Sequence, residues 1–282
     1  MSSTANAQVT PTAPTSRPAS AGPALGGVLV GSVGVTWAFA VELTGLVIAT
    51  LLYLGLGSYK TSEHSTPPSL RAVGGGIVYA FRRKDLLATY LVDMVGMFLA
   101  MPIVLFPAFA TEILQQPKLL GLLYSAEAIG AMVASLTSGW AKHVHHQGRA
   151  VVLATMTWGA AVGVAGLAPD IWFAIAFFAV AGAADMVSVL FRSVIWNQTI
   201  PDEMRGRLAG IEMLGYSLGP LGGQARSGLV ADLTGVRTAI VSGGILCVAG
   251  VIGTAVWLRE FWRYDSRTDE HAVRERELRT AG

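Results

Sequence analysis

The sequence predicts an all-α fold, a polytopic membrane helix bundle of about eight transmembrane helices. Three observations carry that prediction. Hydrophobic residues make up 52% of the 282-residue chain, charged residues only 13%, and the mean hydropathy is +0.53. A soluble domain has about 25% charged residues, so the charges here are too few to cover a surface facing water. The apolar residues fall in runs near the ~20 residues that one membrane-crossing helix needs. Finally, Lys and Arg alternate between rich and poor loops, the pattern by which positive loops stay cytoplasmic.

Residues 1–21 are rich in Ser, Thr, Ala and Pro, with Arg17 as their only charge. They read as a disordered polar tail, and they lack the basic start and apolar core of a signal peptide. The apolar stretch 22–57 is too long for one span. Gly34 and Thr36 interrupt it at "VGVTW", which predicts helices near 22–34 and 36–56. Residues 58–85 form a polar linker carrying Lys60, Arg71, Arg82, Arg83 and Lys84. Six further spans are expected within 86–258, near 86–111, 119–140, 150–168, 171–192, 208–230 and 237–258. Residues 259–282 form a charged tail in which six Arg face six acids, read as a solvated helix or coil.

Basic loops follow the second, fourth and sixth spans: the linker, 141–149 with Lys142, Arg149 and three His, and 193–207 with Arg205 and Arg207. The alternate loops are poor, with Lys118 in one, Arg237 in another and no basic residue in "LAPDIW". This bias predicts a multi-pass protein of the cytoplasmic membrane with both termini cytoplasmic.

A charge inside a span costs about 2.5–3.5 kcal/mol at the helix centre on translocon scales. Residues that bear this cost are candidates for a functional site: Glu42, Asp93, Glu127, Asp185, Arg192, Glu212 and Arg226. Some can lie at span ends and reach interfacial water, and Arg192 falls near the expected end of its span. Asp185 and Arg192 are seven residues apart, so they share a helix face about 10.5 Å apart, too far for a direct pair in most rotamers. Glu212 and Arg226 on the next helix are the expected partners.

Pro102 and Pro107 predict a kink, because each removes a backbone donor from its helix. Gly22 and Gly26 in "GPALGG", and Gly219, Gly222 and Gly223 in "LGPLGG", predict close helix packing. His143, His145 and His146 fit no metal-binding spacing, and the single Cys247 allows no internal disulfide. The sequence carries no phosphate loop, nucleophile elbow or HExxH motif. No cofactor, metal, nucleic-acid partner or enzymatic activity is expected.

The stretch "AGAADMVSVLFRSVIWNQTIPDEMRGRLAGI" resembles the tenth span and following loop of major facilitator superfamily exporters of the enterobactin-exporter-like branch. Within it, Pro201, Asp202, Arg205, Gly206 and Arg207 are similar to the family's recurring P-x-x-x-R-G-R loop. "SGWAKHVHHQGRA" resembles a loosened G-x-x-x-D-x-x-G-R-R loop, matched at Gly139, Gly148 and Arg149, with His143 where the family has an acid. The piece from Gly74 to Ala110 looks like the loop and seventh span of the same branch.

The resemblance covers the fifth to twelfth spans of a twelve-span pattern. It implies a complete C-terminal six-helix half plus the last two helices of the N-terminal half, and hence a truncated or half-size chain. It also implies proton-coupled efflux of a small organic molecule, siderophore or drug-like. In that reading Asp93, Glu127 or Asp185 carries the proton, since desolvation disfavours the charged form of a carboxyl in hydrocarbon. Arg192 and Arg226 would tune those acids or meet an anionic substrate. The alternative is a non-transporting fragment or partner subunit. Expected partners are the substrate, the lipid bilayer, and either a second copy or the missing N-terminal half.

Overall fold

The computed structural model describes residues 35–55, 74–75, 78–81 and 83–281, with the backbone alone at a few helical positions. The expected helix 22–34, the glycines Gly22 and Gly26, most of the linker and the side chains of Glu42, Asp202, Arg205 and Arg207 lie outside the described residues.

Helix α1 spans Val35–Gly55, close to the expected 36–56, and its described side chains are all exposed. The packed bundle follows: α2 (Lys84–Ala100), α3 (Leu120–Leu136), α4 (Gln147–Gly166), α5 (Ile171–Thr199), α6 (Asp202–Thr234) and α7 (Val236–Trp257). Two short helices close the chain, α8 (Arg259–Trp262) and α9 (Glu270–Ala281). The described residues contain no strand. Among the described residues, five stretches are long and apolar enough to cross a membrane: Lys84–Ile113, Pro117–Leu136, Gln147–Gly166, Ile171–Thr199 and Val236–Trp257. Each coincides with an expected span. The expected span 208–230 lies inside α6, which carries Glu212, Arg226 and Asp232 and is less apolar than the other five.

Local chemistry sets the helix ends. The Asp170 carboxylate accepts from the Trp172 and Phe173 N–H groups at 2.9 and 3.0 Å, an N-cap that starts α5. Gly235, at φ 92°, reverses the chain between α6 and α7 in a backbone region that residues with a Cβ avoid. α2 ends at Ala100, just before Pro102, so the expected kink is a full break in the helix. Beyond it the chain continues as a 3₁₀ turn (Ile103–Leu105), a single α-turn and a π-helical segment (Phe109–Ile113).

α5 sits between α3 and α4, α7 packs on α4 and α2, and α6 packs on α2 and α7. Small residues allow the closest crossings. A Cβ on Gly182 of α5 would fall 1.9 Å from the Glu127 carbonyl oxygen of α3, and one on Gly130 would fall 1.7 Å from that of Ala179. Gly223 of α6 likewise meets the Met97 carbonyl of α2 at 2.1 Å, the close packing expected of "LGPLGG". Between these contacts lies one core containing Phe106, Phe109, Phe178 and Phe191, each almost fully buried.

Two expectations change. The loop expected near 193–207 reduces to Ile200 and Pro201, because α5 runs on to Thr199 and α6 begins at Asp202. The sequence places Arg192 near the end of its span. Instead Ile195 and Thr199 are buried, and the Thr199 carbonyl accepts from Arg83 at 3.4 Å. The tail is also more than a solvated charged segment. Its charge balance hides Phe261, Tyr264 and Ala272, all buried against the bundle.

Candidate functional site

The polar residues of the bundle fall into two groups, and the first is a carboxylate cluster around one guanidinium. Arg192 of α5 is buried, and its Nη1 pairs with Asp93 Oδ1 of α2 at 2.5 Å. The expected partners on α6 are therefore not the direct ones. Asp185, two turns back on α5, lies within electrostatic reach of both Arg192 and Asp93, and Glu127 of α3 lies within reach of Asp185. Glu212 of α6 lies within electrostatic reach of Arg192 and Asp93, with Tyr216 one turn on within hydrogen-bonding reach. Three helices thus bring Asp93, Asp185 and Glu212 around Arg192, and α3 adds Glu127 beside Asp185.

The cluster is only partly satisfied. Glu127 Oε1 and Arg192 Nε and Nη2 are buried with no hydrogen-bond partner. The wall beside it is orderly: Trp196 Nε1 donates to Thr89 Oγ1 at 2.9 Å, and the Tyr90 ring lies 5.0 Å from that of Trp196. These aromatic residues line a cavity of about 140 Å³ together with Asp93 and Glu212. That volume suits a few waters, whereas organic ligands occupy about 300–1,000 Å³. Tyr216 escaped the sequence reading, which weighed only charges. Its signal was the spacing of four from Glu212, which places the two on one helix face.

Arg226 does not join the cluster. Its Nη1 donates to the Leu99 carbonyl at 2.6 Å, and Ser227 Oγ donates to the Met101 carbonyl at 2.9 Å. Helix C-terminal carbonyls lack partners of their own. Arg226 and Ser227 supply donors where α2 breaks before and at Pro102.

The second group is the loop motifs at the end where the tail docks. Gly139 sits in a 3₁₀ turn (Ser138–His143) with open space around it, and Gly206 is exposed. Pro201 precedes the first residue of α6, and its carbonyl accepts from Met204 N at 3.0 Å. Gly148 and Arg149 hold the tail. A Cβ on Gly148 would fall 1.8 Å from the Phe261 carbonyl oxygen, and the Arg149 guanidinium stacks 5.7 Å over the Trp262 ring. His143, at the family's acid position, is exposed. Among the described residues no group of three or more His, Cys, Asp or Glu could hold a metal ion.

Asp265 organises the rest of the tail. Its carboxylate accepts from Arg267 Nη2 at 2.8 Å and Nε at 3.1 Å and lies 3.5 Å from His146 Nδ1. The hydrogen bonds from the Arg267 side chain, then from its backbone N–H, hold the carboxyl below the usual carboxylate range. A lowered folded-state value means that this contribution is present above the ordinary carboxylate range and is lost as pH falls through the lowered value. Replacing Gly148 with Ala should undock the tail. Amide exchange over residues 265–281 should then rise about tenfold, the factor equivalent to 1.4 kcal/mol, while exchange in α4 and α5 stays protected.

Comparison with known proteins agrees with this architecture. The family model of the Major Facilitator Superfamily matches residues 86–281. The chain is 30% identical over 237 residues to the enterobactin exporter EntS of Citrobacter koseri, covering 82% of this chain and 56% of that protein. It is 28% identical over 231 residues to the protein of the same name from Shigella flexneri, covering 82% and 55%, and 29% identical over 237 residues to that of Escherichia coli O139:H28, covering 82% and 56%. The chain thus spans about half the length of the curated relatives it matches. No solved structure matches it significantly. Half the chain and more falls within one family pattern, on a bundle of apolar helices long enough to cross a membrane: this is a multi-pass membrane protein belonging to the major facilitator superfamily.

Proposed function

We propose that the chain forms one side of a proton-coupled exporter of the cytoplasmic membrane, with the Asp93–Glu127–Asp185–Arg192–Glu212 cluster as its proton-carrying site. The observation that carries this reading is the charge imbalance: a cluster of four carboxyls from four helices holds a single buried guanidinium, with Asp93, Asp185 and Glu212 within its reach and Glu127 beside Asp185. Ionised together, they would leave three uncompensated negative charges in a setting where each unpaired charge is costly. Protons relieve that imbalance, and a site that exchanges protons as its surroundings change can drive uphill transport.

Export and a siderophore-like substrate are supported by the relatives, which are named enterobactin exporters. The 140 Å³ cavity beside Asp93 is too small for such a molecule. In this family substrate binds between two halves near the bilayer midplane, so the opposite wall has to come from further chain or from a second copy. The basic-loop pattern supports cytoplasmic termini.

The test is substrate-dependent proton movement in vesicles, with enterobactin as the probe. The chain is reconstituted alone and together with the N-terminal half of a full-length relative. A substrate-driven pH change that Asp185→Asn abolishes, with expression unchanged, is the expected result. No pH change in either preparation would overturn the coupling.

The second reading, a non-transporting fragment or partner subunit, is favoured by the half-length match to the relatives. It predicts a stable complex with another membrane protein on a native gel, and no transport from either preparation.

A further inference from the structure

A groove of about 460 Å³ runs between α4 and α7, and every residue that lines it is apolar. Ala160 of α4 and Ala249 and Ile252 of α7 stand on its walls, and the two helices touch at Gly163 and Gly244. Ala160, Ala249 and Ile252 are exposed, and both helices are long and apolar enough to cross a membrane. The open side of the groove therefore meets hydrocarbon. The apolar face continues toward the start of α4 and the end of α7, where Leu153 and Val256 are exposed. Arg149 lies eleven residues before Ala160, a spacing that puts both on one face of α4.

Three arginines stand at that end. Arg149 stacks on the Trp262 ring. In α8, Glu260 reaches Lys84 of α2 at 2.8 Å and Phe261 is buried. Arg259 and Arg263, one turn apart, are both exposed. Among the described residues no acid pairs with any of the three. Trp257, the last residue of α7, is also exposed.

An apolar groove calls for a hydrocarbon chain, and arginines without acids call for an anion. A soluble anion answers only the second demand, and an uncharged lipid only the first. We propose that this face holds an anionic phospholipid. Its phosphate meets Arg149, Arg259 and Arg263, whose guanidinium forks suit phosphate oxygens. One acyl chain runs along Leu153 and Val256 into the groove. The lengths agree. From Arg149 to Gly163 is fourteen residues, about 21 Å of helix, and half a bilayer with its headgroups is about 20–22 Å thick. The chain therefore ends inside the groove. Trp257 and Trp262 sit at headgroup level, where indole rings are enriched. This assignment stands independently of the transport reading.

The experiment is native mass spectrometry of the detergent-solubilised full chain with added dioleoyl phosphatidylglycerol or dioleoyl phosphatidylcholine. Phosphatidylglycerol should be retained at about tenfold lower concentration than phosphatidylcholine. The double variant Arg259→Gln/Arg263→Gln should abolish that preference. Both side chains are exposed, so the fold should be untouched, and Arg149 is left in place because it also holds Trp262. Ala160→Trp fills the groove from an exposed position. It should weaken retention of the dioleoyl lipid about tenfold and leave dihexanoyl phosphatidylglycerol, too short to reach the groove, unaffected. Equal retention of the two headgroups overturns the proposal, and so does a preference that the arginine variant keeps in full. Undiminished retention by Ala160→Trp overturns it as well. A dimer that Ala160→Trp dissolves would give the groove to a second copy and sink the lipid assignment.

Discussion

Replacing Asp93 with Asn is expected to destabilise the protein by about 3–5 kcal/mol, the usual cost of removing one member of a buried ion pair. Among the described residues Arg192 has one carboxylate in direct contact, Asp93 Oδ1 at 2.5 Å, while its Nε and Nη2 are already unpartnered. Without Asp93 the guanidinium would keep its full charge in an apolar bundle, with Asp185 and Glu212 close but not hydrogen-bonded to it. The double variant Asp93→Asn/Arg192→Gln removes both charges and should recover much of the loss. A thermodynamic cycle over the two single variants and the double one measures this coupling. Additive single effects would show that the pair contributes nothing specific. Arg192→Gln alone should also hurt, because it leaves four carboxyls without a cation, and it should hurt less at acidic pH, where protons can take the cation's place.

The second large effect concerns a residue without a side chain. Gly182→Ala puts a Cβ 1.9 Å from the Glu127 carbonyl oxygen and 2.5 Å from the Glu127 Cα. No rotamer relieves a clash with backbone, so α3 and α5 must part. Overpacking usually costs about 1–3 kcal/mol, and the cost here should sit at the top of that range or above it. Gly130→Ala produces the reciprocal clash with the Ala179 carbonyl, so its effect should match. In the transport proposed above, activity should suffer beyond the loss of folded protein, because Glu127 is the residue displaced. A Gly182→Ala protein with normal melting and normal efflux would mean that the two helices are not held this closely.

The sequence spoke clearly about hydropathy and poorly about partners. Five apolar spans were legible because ~20-residue runs and alternating loop charge are independent signals that agreed. The end of α5 was not legible. Arg192 falls near the expected end of its span, and the packing of Thr199 against Arg83 shows that the helix continues. For the site, a simple cost argument found Asp93, Glu127, Asp185, Arg192 and Glu212, since a charge in hydrocarbon needs a reason to be there. The same argument also selected Arg226, whose reason is structural: it caps a broken helix. Cost identifies a residue that must be satisfied and is silent on what satisfies it. Tyr216 carries no charge, so cost could not single it out.

The capped break in α2 has a mechanical meaning. Gly223, Arg226 and Ser227 fasten α6 to the carbonyls of Met97, Leu99 and Met101 over barely one helical turn. Glu212 lies eleven residues from Gly223, about 16 Å along the helix axis. The two helices meet again beyond Glu212, where Tyr90 Oη donates to the Leu208 carbonyl at 3.4 Å and Leu86 packs on Leu208, so Asp93 and Glu212 lie between two fastenings. A hinge at the capped break alone is therefore resisted at the other end: Glu212 can part from Asp93 and Arg192 only if this second contact gives as well.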